Sequence, residues 1–295
     1  MKKLKLSIVI PAHNEEANIG KVLTELVEVI GQSSIPYEVI LVNDNSSDGT
    51  AQVVQSFAAS NSSIQLVNRQ PPSGFGRAIR TGLSLVTGDV VVICMGDQSD
   101  DSRDVLAYYQ KILEGYDCVF GSRFIAGAEI HDYPRVKLFF NRIVNRVIQL
   151  VFWTSHNDMT NAFKAYRTYV IRECEPFKAC HFNITIEMSL SALIRGYRIA
   201  KLPIHWYGRA WGSSKLSLKE MGRRYLVTLL KIFFEKVLIH DDVMAERMSN
   251  RLRSERTQTD LTDRISALEE RCFAIEKSLG TLSLPGSFPT PDSDL

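Results

Sequence analysis

The chain has 295 residues, 45% of them hydrophobic and 23% charged, with a formal net charge of +2. That balance excludes a disordered, collagenous or disulfide-scaffold class and fits a globular protein. So small a net charge singles out no polyanion: nucleic acid is not an expected partner, and only local basic patches bear on binding.

The five cysteines (Cys94, Cys118, Cys174, Cys180 and Cys272) are scattered without a Cys-x-x-Cys spacing. That spacing supports neither a zinc site nor a disulfide framework and fits a reducing compartment. Met1-Lys-Lys-Leu-Lys resembles a signal-peptide n-region, but the apolar stretch behind it stops at Pro11, too short for an h-region. No run of about 18 apolar residues occurs, so no membrane-spanning helix is predicted.

Strands and helices alternate from the N-terminus. Residues 6–10 read as a strand, and Asn14 is placed to cap a helix whose apolar positions Ile19, Val22, Leu23, Leu26 and Ile30 keep helical spacing. Residues 38–42 form a second strand; the turn Asn43-Asp44-Asn45-Ser46-Ser47-Asp48-Gly49-Thr50 leads into a helix. Residues 64–67 are a short strand, and Ser73-Gly-Phe-Gly-Arg-Ala78 opens a third helix. Residues 90–94, Val-Val-Val-Ile-Cys, suit a strand buried on both faces of a parallel sheet. A helix to about Leu113 and a strand over 117–121 follow. Five strands alternating with four helices predict an α/β fold with a parallel, doubly wound sheet.

In such sheets ligands bind beyond the carboxyl ends of the strands. Pro11-Ala-His-Asn-Glu15, Asn43-Asp44-Asn45-Ser46 and Asp97 therefore line one rim. Asp97, Asp100 and Asp101 offer the hard oxygen donors that Mg²⁺ and Mn²⁺ prefer. Asp97 reads as a metal ligand, whereas Asp100 and Asp101 read first as caps of the following helix. Gly74 and Gly76 allow the close backbone approach of a phosphate loop. The third glycine of a nicotinamide fingerprint is Ile79, and no P-loop Gly-Lys-Ser/Thr occurs.

The order Ser7-Ile-Val-Ile-Pro-Ala-His-Asn-Glu-Glu16, Val42-Asn-Asp-Asn-Ser-Ser-Asp-Gly-Thr50, Gly74-Phe-Gly-Arg-Ala78 and an acidic strand end resembles a family 2 glycosyltransferase of GT-A fold. Val119-Phe-Gly-Ser-Arg-Phe124, Asn157-Asp-Met-Thr-Asn-Ala-Phe-Lys-Ala-Tyr-Arg167 and Arg209-Ala-Trp-Gly-Ser-Ser-Lys-Leu216 resemble its dolichyl-phosphate mannose synthase branch. The resemblance implies a Rossmann-like, mainly parallel sheet flanked by helices. It implies an inverting transfer of a sugar from a nucleotide-sugar donor, GDP-mannose or a UDP-sugar, to a polyprenyl phosphate. It also implies roles. Pro11, His13, Glu15 and Asp44 hold the nucleoside, and Gly76 lies in the base-and-ribose wall. Asp97 binds Mg²⁺ or Mn²⁺. Arg123, Arg209 and Lys215 meet the acceptor phosphate, and Asp158 lies near the sugar as base or orienting group. The alternative for Asp158 is a helix cap before Phe163. Two departures stand out: Met95 replaces the first carboxylate of the usual Asp-x-Asp, and Asn43 replaces the first of a paired aspartate. A saccharide acceptor, or a non-catalytic nucleotide-sugar-binding relative, stays open beside the lipid reading.

Residues 135–153 carry a broad apolar face with Arg135, Arg142 and Arg146 on another stripe, and residues 218–240 repeat the amphipathic pattern. Such helices read as interfacial, which predicts a cytoplasmic protein peripheral on the membrane face; the alternative is ordinary packing on the sheet. The transferase domain is expected over 1–240 and a helical tail over 241–283. Within the tail, Leu261, Ile265, Leu268, Cys272, Ile275 and Leu279 make a heptad seam or one solvated helix. The seam reading gives a homo-oligomer through residues 261–279. Residues 284–295, with three prolines, are expected to be disordered.

Overall fold

In the computed structural model, the described residues are 3–208 and 218–239, with single positions 265 and 268. Arg209, Lys215 and, apart from those two positions, the 261–279 seam lie outside them, as does the expected disorder of 284–295. The account below concerns the compact unit Met1–Leu238.

The elements run β1 (Leu6–Ala12), α1 (Glu16–Gly31), β2 (Tyr37–Asn43), α2 (Thr50–Ser60), β3 (Ile64–Asn68), α3 (Phe75–Leu85), β4 (Val90–Ile93), α4 (Ser102–Leu113) and β5 (Cys118–Ser122). Then come β6 (Glu129–His131), α5 (Arg135–Phe152), β7 (Lys164–Arg167), α6 (Thr168–Cys174), α7 (Ile184–Ile194), β8 (Ile199–Pro203), β9 (His205–Tyr207) and α8 (Leu218–Ile239). Seven strands form one sheet in the order β3-β2-β1-β4-β7-β5-β8, and β6 pairs with β9 separately. The pairs up to β1–β4 are parallel, as alternating strands and helices require. β7 runs antiparallel between β4 and β5. The sheet is thus mainly parallel with one reversed strand.

Alternation divides the core. Val9, Ile40, Val42, Val91 and Ile93 pack on one face with α3, while Ile8, Ile10, Val39, Leu41, Val90 and Val92 pack on the other with α1. Each such side chain contributes about 1.5–3 kcal/mol on burial, which is why these strands are apolar without a break.

Three local expectations need correction. α1 starts at Glu16 with Glu15 at its N-cap, because Asn14 is left-handed (φ 54°). Its side-chain oxygen instead accepts the Ser47 N–H at 2.8 Å. Of the two candidate caps of α4, Asp101 does the work, accepting the Arg103 N–H at 2.9 Å; Asp100 turns inward. The residues after Asp158 form strand β7, not a helix, so Asp158 is no helix cap.

At the amino ends of the strands, Glu38 ties three together. It accepts from Lys5 Nζ (2.7 Å), Ser7 Oγ (2.5 Å) and the Thr87 N–H (2.8 Å). Burial pushes its pKa up, but the bonds from Lys5, Ser7 and Thr87 prevail and bring it down to about 2. A depressed carboxyl stabilises the fold above its unfolded pKa of about 4.3, and that stability is lost as pH falls through about 2. Glu38→Gln should lower the melting temperature at pH 7. The gap from the parent should close between about pH 4 and 2, which calorimetry across that range checks.

Candidate active site

The carboxyl ends of β1 and β2 lie side by side, with Ala12 opposite Asn43. The turns beyond them are stitched together. His13 Nδ1 lies 2.7 Å from the Asp44 carbonyl, and the Glu15 N–H donates to Thr50 Oγ1 at 2.9 Å. Glu15 Oε2 accepts from Asn18 Nδ2 at 2.8 Å. Pro11 is buried within β1. Asp44 is buried; its Oδ2 accepts the Gly74 N–H at 2.6 Å and its Oδ1 pairs with Arg69. Pro11, His13, Glu15, Asp44 and the start of α3 therefore form one rim.

The glycines of that rim serve a different contact from the expected phosphate approach. The N–H groups of Gly76 and Arg77 both point at the Cys180 carbonyl, at 3.0 and 3.3 Å. A Cβ on Gly76 would lie 2.5 Å from the Ala179 carbonyl oxygen, and one on Gly74 would lie 2.4 Å from that of Cys180. The first turn of α3 is thus capped by the chain at 179–181, a placement that Phe75 and Phe182 reinforce by stacking at 4.2 Å.

Beyond β4, Asp97 is 4% exposed and its Oδ1 accepts the Ser99 N–H at 3.2 Å. Asp100 Oδ2 accepts the Met95 N–H at 2.9 Å, whereas its Oδ1 is buried with no hydrogen-bond partner among the described residues. Burial, with Asp97 adding repulsion against the Met95 hydrogen bond, pushes the Asp100 carboxyl up to about 7. An orphaned carboxylate oxygen beside a second acid is the donor chemistry a hard cation takes. No cluster of three or more His, Cys, Asp or Glu occurs among the described residues.

Arg123 and Asp158, 35 positions apart, meet as a buried pair. Arg123 Nε and Nη2 donate to the two carboxylate oxygens at 2.8 and 2.7 Å, and its backbone N–H adds a third bond at 3.0 Å. Arg123 is 8% exposed, with Phe124, Tyr133 and Trp206 around its guanidinium and Nη1 at 3.3 Å from the Tyr133 hydroxyl. Burial alone would lower its pKa, but Asp158 holds it above the usual arginine value. The fork expected to grip a phosphate is engaged by Asp158.

Several residues of this region went unmarked in the sequence. Lys164, in β7, is 1% exposed and donates to the carbonyls of Met159 (2.8 Å) and Asn161. Burial is the main cause of its lowered pKa, about 7, with Asp158 partly opposing. Asn145 of α5 accepts the Met159 N–H at 2.7 Å, and Asn141 donates to Thr160 at 2.9 Å. Together they brace the turn that presents Asp158. A lysine in a four-residue strand carries no readable signal, and two asparagines four apart on an amphipathic helix carry only a weak one.

The sequence pattern of glycosyl transferase family 2 matches residues 7–174, more than half of the chain. The chain belongs to glycosyl transferase family 2. Among solved structures, glucosyl-3-phosphoglycerate synthase from Mycobacterium tuberculosis, in complex with Mn²⁺, uridine diphosphate and phosphoglyceric acid, is similar. It is 21% identical with a TM-score of 0.61, over 78% of each chain. Its complex with Mn²⁺, UDP-glucose and phosphoglyceric acid gives 20% identity and a TM-score of 0.60, over 78% of this chain and 80% of that one. A structure described as a mycobacterial protein gives 19% and 0.60, over 78% and 74%. These likenesses establish the GT-A fold of the transferase.

Two variants probe this geometry. Gly76→Ala forces Cβ into the 179–181 backbone and should cost about 1–3 kcal/mol, which denaturant unfolding measures. Arg123→Leu strands a buried carboxylate and should cost about 3–5 kcal/mol. Adding Asp158→Asn should recover much of that loss, which a double-mutant cycle in denaturant measures.

Proposed function

We propose that this glycosyltransferase moves a sugar, with inversion, from a nucleotide-sugar donor to a polyprenyl phosphate. The observation that carries the acceptor reading is the state of Asp158. Both of its oxygens are taken up by Arg123, so the carboxylate is committed to holding a guanidinium in place. A sugar hydroxyl needs a base; a phosphate monoester, with a second pKa of about 6, arrives ionised. Asp158 therefore orients Arg123, and an acceptor that brings its own charge suits the site.

The rim of Pro11, His13, Glu15, Asp44 and Gly76 is assigned to the nucleoside. Asp97, with the orphaned Asp100 Oδ1 nearby, is assigned to Mg²⁺ or Mn²⁺; the mycobacterial synthase structures hold Mn²⁺ or Mg²⁺ with uridine diphosphate. When bound, the ion neutralises the leaving nucleoside diphosphate. Few protein carboxylates are present, so Asp97 and Asp100 would supply the protein's share of the donors and donor phosphates and water would supply the rest, as magnesium sites commonly allow. Arg209 and Lys215 are assigned to the acceptor phosphate, together with Nη1 of Arg123, the guanidinium nitrogen that Asp158 does not hold.

The lipid half of the reading is supported by α5 and α8. Ile148 and Phe152 of α5 are buried, but Val136, Phe139, Phe140, Ile143, Val147 and Leu150 are exposed. On α8, Tyr225, Leu229 and Ile232 pack into the core beside two polar contacts, Glu235 with Arg195 and Thr228 with Asn183, while Leu226, Val227, Leu230, Phe234, Val237 and Leu238 face out. Helices that carry a row of large apolar side chains on their outer face mark a surface meant to be covered. No helix among the described residues is long and apolar enough to cross a membrane, so the contact assigned here is peripheral.

A second reading has a specific motive. The structural neighbours are synthases solved with phosphoglyceric acid, a soluble phosphorylated acceptor. Product analysis with GDP-mannose and UDP-glucose, each offered polyprenyl phosphate or 3-phosphoglycerate, decides between them. The lipid should be glycosylated in a Mn²⁺- or Mg²⁺-dependent way, and Asp97→Asn should abolish turnover while leaving the melting temperature close to the parent's. Transfer to phosphoglycerate alone would replace the lipid reading, and full turnover by Asp97→Asn would remove the metal assignment.

A further inference from the structure

One turn of α5 touches both sides of the Arg123–Asp158 pair. Asn145 holds the Met159 N–H and Asn141 reaches Thr160, both on the Asp158 side. Arg142, between them in sequence, reaches the Arg123 side, where its guanidinium lies 4.7 Å from the centre of the Phe124 ring. The Arg123 guanidinium lies 5.4 Å from the same centre. That ring stands on a fixed backbone: the Phe124 N–H donates to Ser122 Oγ at 3.1 Å, and the Phe124 carbonyl accepts from Asn157 Nδ2 at 2.9 Å.

The two guanidiniums differ in charge balance. Arg123 is matched by Asp158, so the pair is neutral as a unit. The Arg142 guanidinium has no ion pair or hydrogen bond among the described residues, and α5 carries no Asp or Glu. A phosphate monoester brings about 1.5 to 2 negative charges near neutral pH, more than a neutral pair offsets. Lys164 cannot answer them, since it is 1% exposed and donates to two carbonyls.

The place of Arg142 on the helix is the third observation. Residues three or four apart are neighbours on a helix surface. Arg142 stands three before the buried Asn145 and three after Phe139, which is 61% exposed; Ile143, next to it, is 43% exposed. It therefore marks the border between the site-facing side of α5 and its bare apolar side. An arginine at such a border lays its stem on apolar surface and keeps its charge at the water side, which is where a lipid phosphate stands when its chain lies in the apolar layer.

We propose that Arg142 is a binding residue for the acceptor, pairing with the phosphate of the polyprenyl phosphate as that phosphate meets Nη1 of Arg123, with the Phe124 ring as the platform both guanidiniums share. The inference rests on the lipid-acceptor reading above and adds to it a cation that no carboxylate among the described residues neutralises.

Steady-state kinetics of the full chain test it, with polyprenyl phosphate dispersed in a nonionic detergent so that the micelle surface carries no charge besides the substrate. Arg142→Gln should raise the acceptor KM about tenfold, the size expected when one charge-assisted contact is lost. Its kcat, melting temperature and nucleotide-sugar affinity in calorimetry should stay close to the parent's; a purely structural role would move the melting temperature instead. Arg142→Lys should recover part of the loss, because an ammonium keeps the charge without the fork. Arg146→Gln, one turn further along α5 and exposed, should leave the acceptor KM unchanged. An unchanged KM in Arg142→Gln, or an equal rise in Arg146→Gln, overturns the proposal, while transfer to polyprenyl phosphate by the parent keeps the lipid reading. A parent that glycosylates 3-phosphoglycerate and not the lipid removes that reading and the proposal with it.

Discussion

Arg123 and Asp158 sit almost out of water, one just after β5 and the other on the turn before β7, and much of the site depends on their meeting. Taking two charges out of water costs several kcal/mol each, and attraction offsets this only with good geometry and further hydrogen bonds. Both are present here: a bidentate fork, a backbone N–H on the same carboxylate, and aromatic rings around the guanidinium. The pair also fixes the turn that precedes β7. Lys164 draws in the carbonyls of that turn and Asn145 holds its Met159 N–H. A buried lysine and a buried ion pair side by side are unfavourable as isolated features. As a network with its polar groups satisfied they specify one arrangement.

The parallel half of the sheet was legible because its signal is local. Apolar runs such as Val90–Ile93 and the spacing of Ile19, Val22, Leu23 and Leu26 report burial directly. The ends of β1, β2 and β4 then placed Asp44 and Asp97 on one rim without further information. The reversed strand was not legible. Lys-Ala-Tyr-Arg is short, and its place between β4 and β5 is set by register with residues some fifty or seventy positions away. The same limit hid the Arg123–Asp158 pair, since each residue type alone suits a phosphate or a cap. The glycines of α3 were recognised as sites of close approach, but what approaches them is the 179–181 backbone, brought there by a distant part of the chain.

The backbone at position 95 organises the acidic strand end after β4. Its backbone N–H is bonded to Asp100, so the loop after β4 folds back on itself and carries a second carboxylate inward beside Asp97. That carboxylate keeps one oxygen unpaired and its pKa high. Burial, with Asp97 nearby, is what holds the Asp100 carboxyl up. The arrangement offers hard oxygen donors from two positions three residues apart, although the residue at position 95 supplies none.

The polar contacts on the inner side of α8 give the surface a mechanical connection to the rim at the ends of β1 and β2. Lys231 pairs with Glu187, and Glu187 accepts the N–H groups of Lys178 and Ala179. The next carbonyl along, that of Cys180, accepts from Gly76 and Arg77 at the start of α3, and Gly74 donates to Asp44. Most of these groups are buried, so breaking one link strands a donor or acceptor at a cost of about 1–3 kcal/mol. The glycine contacts remove slack from the same chain, since Gly74 and Gly76 leave no room for the 179–181 backbone to slide closer. A displacement of α8 therefore either leaves the loop at 178–181 where it is, by breaking the Glu187–Lys231 pair near the surface, or carries the loop and the cap of α3 with it. The outer link is the cheaper one to break, because Lys231 is the partly exposed member of the series and water can take over its hydrogen bonds.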